Sequence, residues 1–128
     1  MVQKHKILVV DDDHDIGRMI KMLLEFKGYD AVIAENRISA EEILQQFSIK
    51  VIIMDMLLSG ENGINVCAAF KRDAAIMHIP ILMMSAHPDA NTICMDAGAN
   101  DFISKPFEMQ DLLLKIDHLI NGNVEGKM

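Results

Sequence analysis

A small set of reactive side chains recurs at one kind of position. The triplet Asp11-Asp12-Asp13 closes the apolar run 7–10, Asp55 closes 51–54, Ser85 closes 79–84, and Ser104-Lys105-Pro106 follows 102–103. Carboxylates packed together repel, and holding them ionised calls for a cation. Mg²⁺ suits such a set, because it takes one or two carboxylates and keeps waters and a phosphate oxygen. Carboxylates, a hard cation, a hydroxyl and an amine make a site for a phosphoryl group. The carboxylate of Asp55 is itself a nucleophile able to accept that group as an aspartyl phosphate. Each residue alone has a plainer use. An aspartate after a strand commonly caps the next helix, a part expected of Asp13 or Asp15. A serine there is commonly a turn residue, and a lysine before proline a solvated charge. Their coincidence at the ends of four separate runs is what points to chemistry.

Two other phosphate or metal devices are excluded. Asp11, Asp13 and Asp15 imitate the opening of a calcium loop, but the required glycine falls at Ile16 and the twelfth-position glutamate at Met22. The segment Gly60-Glu61-Asn62-Gly63 lacks the lysine and serine of a nucleotide-binding P-loop, so ATP is not the expected donor.

Positioning these residues falls to alternating elements. The runs 7–10, 51–54 and 79–84 are nearly continuous and rich in Val, Ile and Met, as suits strands buried on both faces of a parallel sheet; 31–34 and 102–103 complete the set. Between them lie helical spacings. Ile16, Ile20, Leu23 and Leu24 mark the first helix, stopped by Gly28. Ser39-Ala40-Glu41-Glu42 reads as a capping box before Ile43, Leu44 and Phe47. Ile64, Cys67 and Ala68 mark a third helix, Ile93 and Ala97 a fourth closed by Gly98, and Leu112, Leu113, Ile116, Leu119 and Ile120 a fifth ending near Gly122. The order is (βα)₅, an α/β arrangement with a parallel five-stranded sheet between two helical layers. In such sheets ligands sit beyond the carboxyl ends of the strands, where the reactive residues fall.

The 128 residues suit one domain, with a core at about 6–120 and a tail at 122–128. Nineteen acidic against twelve basic side chains give a net charge of −7, which argues against direct nucleic-acid binding. Two cysteines, Cys67 and Cys94, are too few for a disulfide framework and read as buried thiols in a reducing compartment. The basic start is followed by only four apolar residues, too few for a secretory signal, and no run is long enough to span a membrane. A cytoplasmic location is expected.

The segments Ile7-Leu8-Val9-Val10-Asp11-Asp12, Asp55, Ser85-Ala86 and Lys105-Pro106-Phe107 together resemble the receiver domain of two-component response regulators, over about 6–120. The resemblance implies a flavodoxin-like fold with strand order 2-1-3-4-5. It implies Asp55 as the phosphoacceptor, with Mg²⁺ held by Asp12, Asp55 and the backbone carbonyl of Leu57, and by Asp11 mainly through water. Ser85 and Lys105 would each meet a phosphoryl oxygen, the Lys105–Pro106 bond would be cis, and Phe102 would be the aromatic partner of Ser85 in the switch. The implied donor is a histidine kinase or histidine phosphotransfer protein. The implied outputs are an effector protein or a homodimer through the face of the fourth helix, fifth strand and fifth helix.

Three departures stand out. Ser59 replaces a usual proline, Glu108 replaces a shorter capping aspartate, and Phe102 replaces the commoner tyrosine. Two other functions compete: a Mg²⁺-dependent phosphatase with an aspartate nucleophile, and a degenerate receiver serving only as a binding surface. The first normally carries its nucleophile after the first strand, and the full Asp11, Asp12, Asp55, Ser85 and Lys105 set weighs against the second.

Overall fold

The structure, a computed structural model, describes residues 4–58 and 60–125. Five strands form the central sheet: β1 (Lys6–Val10), β2 (Asp30–Ala34), β3 (Val51–Asp55), β4 (Ile81–Ser85) and β5 (Asp101–Ser104). All pair in parallel, in the order β2-β1-β3-β4-β5. The helices are α1 (His14–Phe26), α2 (Arg37–Gln46), α3 (Gly63–Arg72), α4 (Ala90–Asp96) and α5 (Met109–Glu125).

Strand alternation divides the core into two layers. Ile7 and Val9 of β1 face one side, with Ile53, Met84, Ile20, Leu24, Leu112 and Ile116; this is the α1–α5 layer. Leu8 and Val10 face the other, with Met54, Ala40, Cys67, Phe70 and Cys94; this is the layer of α2, α3 and α4. β3 and β4 are buried along their whole length, which is why their sequences are nearly unbroken in apolar residues. The register sets Val10 beside Met54, Asp55 beside Met84, and Ser85 beside Ser104, so the carboxyl ends finish level. At the open edge of β2, the Lys21 ammonium from α1 donates to the Ala31 carbonyl at 2.7 Å. Both thiols are free and buried, and burial pushes Cys67 up to about 11.

The structure corrects the sequence reading at several elements. Asn36, not Ser39, caps α2: its Oδ1 accepts from the Ser39 N–H and hydroxyl, so the helix begins two residues before the expected capping box. Phe47 leaves the buried face and lies exposed under the Lys6 ammonium, 4.8 Å from the ring centroid. β4 starts at Ile81 rather than Ile79, because Pro80 has no N–H to give the ladder. In α4 the buried positions are Ala90 and Cys94, and Ile93 is exposed. α5 runs on through Gly122 to Glu125; glycine permits a stop without enforcing one. A two-residue antiparallel ladder, Leu57–Leu58 with Glu61–Asn62, follows β3 and had no signal in the pattern of apolar residues. Ser59 lies outside the described residues.

Candidate functional site

Asp55 ends a strand whose residues are all buried, and it retains only 8% of its accessible surface. Its Oδ1 accepts from the Leu57 N–H at 2.9 Å, which folds the chain sharply after the strand. Its Oδ2 receives the Lys105 ammonium at 2.6 Å. Gly63 opens α3 directly against this turn: its N–H donates to the Met56 carbonyl at 2.8 Å, and a Cβ there would lie 2.2 Å from the Asp55 carbonyl oxygen. Lys105 is tethered in turn, its backbone N–H donating to the Ser85 carbonyl at 2.9 Å, and the Lys105–Pro106 bond is cis.

Asp11 is almost wholly buried at the end of β1. Its Oδ1 accepts from the Asp13 N–H at 2.9 Å, while its Oδ2 is buried with no hydrogen-bond partner, 3.9 Å from the Lys105 ammonium. Burial pushes the Asp11 carboxyl up to about 6; the Asp13 N–H and Lys105 pull it down, and the charges of Asp55 and Asp12 add to the rise. Asp12 is half-buried on the same turn. Asp13 faces away as the cap of α1, its Oδ1 accepting from the Asp15 and Ile16 N–H groups at 3.0 and 3.2 Å.

Ser85 is buried at the end of β4, and its Oγ accepts from the His87 N–H at 3.0 Å. That leaves the hydroxyl proton to be donated elsewhere. His87 accepts from the Asp89 N–H through Nδ1 at 3.1 Å, so in the neutral ring Nε2 carries the proton. Phe102 pairs with Met83 in the sheet and packs half-buried on the α2–α3–α4 layer. It also lines a cavity of about 760 Å³ with Pro88, Phe107, Leu114 and Lys115. The Lys115 ammonium lies 3.4 Å from Asp101 there.

Among the described residues no group of three or more His, Cys, Asp or Glu side chains is already arranged as a metal cage. The Lys105 ammonium instead supplies the positive charge between Asp55 and Asp11. The donor set nevertheless fits Mg²⁺. The unmet, buried Asp11 Oδ2 is the kind of acceptor a hard cation satisfies, and its neighbours Asp12 and Asp55 also offer only oxygen.

Two features of the site had little voice in the sequence. The Asp55–Lys105 contact joins residues fifty positions apart, and the close approach of Gly63 depends on how α3 enters. Gly60 and Gly63 entered the sequence reading only as part of a segment that fails the P-loop pattern.

The chain belongs to the response regulator receiver domain family, which it matches over residues 7–117. It is a receiver of two-component signalling, a phosphoacceptor module rather than an enzyme in its own right. It is 35% identical over 122 residues to the phosphate regulon transcriptional regulatory protein PhoB of Pseudomonas aeruginosa, covering 94% of this chain and 53% of that one. The chain therefore spans about half the length of the curated relatives it matches. A response regulator receiver domain protein from Clostridium thermocellum superposes with a TM-score of 0.83 at 30% identity, covering 93% of this chain and 96% of that one. The chemotaxis response regulator CheY4 of Vibrio cholerae gives 0.83 at 26% identity, covering 91% and 99%. Among the described residues no helix is long and apolar enough to cross a membrane.

Proposed function

We propose that Asp55 is the residue phosphorylated, in a receiver unit spanning 6–120, and that the donor is a phosphohistidine on a histidine kinase or a histidine phosphotransfer protein in the cytoplasm. The observation that carries this reading is the 2.6 Å contact between the Asp55 carboxylate and the Lys105 ammonium at the end of a buried strand. A carboxylate oxygen of Asp55 attacks phosphorus. As the new O–P bond forms, the P–N bond to the donor histidine breaks and its electron pair returns to the imidazole nitrogen. Lys105 then holds one phosphoryl oxygen. Ser85 gives its hydroxyl proton to another while its Oγ still accepts from His87. Asp11, Asp12, Asp55 and the Leu57 carbonyl would hold Mg²⁺, which when bound supplies charge that offsets the phosphoryl oxygens.

Phosphorylation adds about −1.5 to −2 charge and strong acceptor oxygens. Drawing Ser85 toward them frees space near β4, into which the Phe102 ring turns. The altered α4–β5–α5 face then engages an effector or a second copy of the chain. The test is incubation with acetyl phosphate and Mg²⁺ followed by intact-mass measurement. One phosphoryl group is expected, and none in Asp55→Asn, since an amide is a poor nucleophile. Undiminished incorporation in that variant would move the acceptor elsewhere.

A further inference from the structure

The opposite rim of the sheet carries a second charged concavity. Lys4, His5, Lys6, Ser48 and Lys50 line a cavity of about 290 Å³ at the amino-terminal ends of β1 and β3. The two strands run side by side with Ile7 beside Val51, and the Lys50 N–H donates to the Lys6 carbonyl at 2.8 Å, so Lys6 and Lys50 are neighbours. Like charges in such cross-strand positions repel. Lys6 is relieved by Asp30 and by the face of Phe47. Among the described residues, no hydrogen bond or ion pair engages the side chains of Lys4, His5, Ser48 or Lys50. In a chain with nineteen acidic and twelve basic side chains, a concavity of this composition runs against the overall charge.

We infer that this rim binds a compact, multiply charged anion of the phosphate class, of pyrophosphate size, either free or as the end of a nucleoside di- or triphosphate. The uncommitted ammonium groups of Lys4 and Lys50, with Lys6 beside them already paired to Asp30, supply point charges without the planar fork that arginine offers to carboxylates. The Ser48 hydroxyl and the His5 ring add further hydrogen-bond donors. The volume lies at the lower end of the roughly 300–1,000 Å³ of ordinary small-molecule pockets, which suits a small group. β1 separates this rim from Asp11 by five residues, about 16 Å at the rise of a strand. The anion therefore occupies a place distinct from that of a phosphoryl group on Asp55.

The test is a two-dimensional amide NMR titration of the whole, metal-free chain with pyrophosphate at constant ionic strength, with parallel titrations of ATP and AMP. Saturable shifts are expected at residues 4–6 and 48–50, without matching shifts at 11–13 or 55. Lys4→Gln and Lys50→Gln should each weaken binding at least severalfold, and the double variant should abolish saturation while melting like the wild type. Binding of ATP as tight as pyrophosphate, with AMP much weaker, assigns the site to a nucleotide's phosphate end; binding of pyrophosphate alone assigns it to the free anion. Non-saturating shifts, shifts reproduced by sodium chloride, shifts centred on Asp11 and Asp55, or affinity unchanged in the folded double variant would each overturn the inference. The readout does not depend on phosphorylation of Asp55, so failure here leaves that assignment standing.

Discussion

Replacing Gly63 with alanine would drive a methyl group into the backbone that carries Asp55. The added Cβ would lie 2.2 Å from the Asp55 carbonyl oxygen, 2.8 Å from that of Met56 and 3.0 Å from the Met56 carbonyl carbon. Comfortable heavy-atom separations are about 3.5 Å, so either α3 or the end of β3 must retreat by more than an ångström. All three obstructing atoms are backbone, and no rotamer change relieves them. Alanine would gain up to about 1 kcal/mol of helix propensity, less at a first helical position such as this. Overpacking typically costs about 1–3 kcal/mol, with unyielding backbone at the upper end. The strain wins, by about 2 kcal/mol net. For a chain of this size that lowers Tm by roughly 6–10 °C. The same displacement pulls Asp55 off the Lys105 ammonium and the Leu57 N–H, so labelling by acetyl phosphate should slow by about tenfold or more, near 1.4 kcal/mol of barrier. Gly60→Ala is the control. Gly60 has φ +74° with nothing within 4 Å of a Cβ, so it suffers only conformational strain of about 1–2 kcal/mol and should label nearly normally. A Gly63→Ala protein that melts and labels like the wild type would refute the packing argument.

Asp11 provides a pH test. Its carboxyl is raised from the ordinary 3.8 to about 6, so the folded chain holds that proton more tightly than the unfolded chain. The resulting stabilisation is complete below about pH 4 and is lost as pH rises through about 6, roughly 3 kcal/mol in all. Urea titrations of the metal-free protein should therefore show the wild type losing stability relative to Asp11→Asn across that window; parallel curves would exclude the effect. Leu57 is 71% exposed beside the acceptor and cannot orient a water molecule, so Leu57→Asn should shorten the phosphoryl lifetime by about tenfold. An unchanged rate of phosphate release would mean that access at this side chain is not limiting. Adding Mg²⁺ and beryllofluoride, a phosphoryl mimic, should move NMR signals of Met95, Phe102 and Asp111 as well as those of the pocket. Changes confined to Asp11–Asp55 would break the proposed link to the α4–β5–α5 face.

The sheet was legible because burial on two sides leaves a coarse mark: Val51–Asp55 and Ile81–Ser85 have no exposed position to interrupt their apolar runs. Asp11, Asp55 and Ser85 were legible because each closes a buried run, and Lys105 because it follows the last strand on the same edge. Helix starts were less so, since Asn36 and Ser39 are both competent caps and only the incoming backbone decides between them. Buried faces of short helices were also obscured. In α4 the small residues Ala90 and Cys94 pack inward while the larger Ile93 stays in solvent, an inversion that hydrophobicity alone does not disclose. Charge pairing across the site lay further out of reach, because the Lys105 ammonium reaches Asp55 and Asp11 only once four strands, β1, β3, β4 and β5, have aligned.

The contact from Lys21 to the Ala31 carbonyl bears on how the chain meets others of its kind. β2 borders the sheet, and its outward backbone groups would otherwise be a template for a stray strand. Because the Asp30 N–H turns inward to His5, the Ala31 carbonyl turns outward, and there a helix side chain occupies it. The same ammonium lies 3.2 Å from Glu25, one helical turn further on, so a charged lid rests over that carbonyl. Growth of the sheet by copying is discouraged on this side. Recognition there must be written in side chains, where single substitutions can alter it, rather than in a backbone common to every protein.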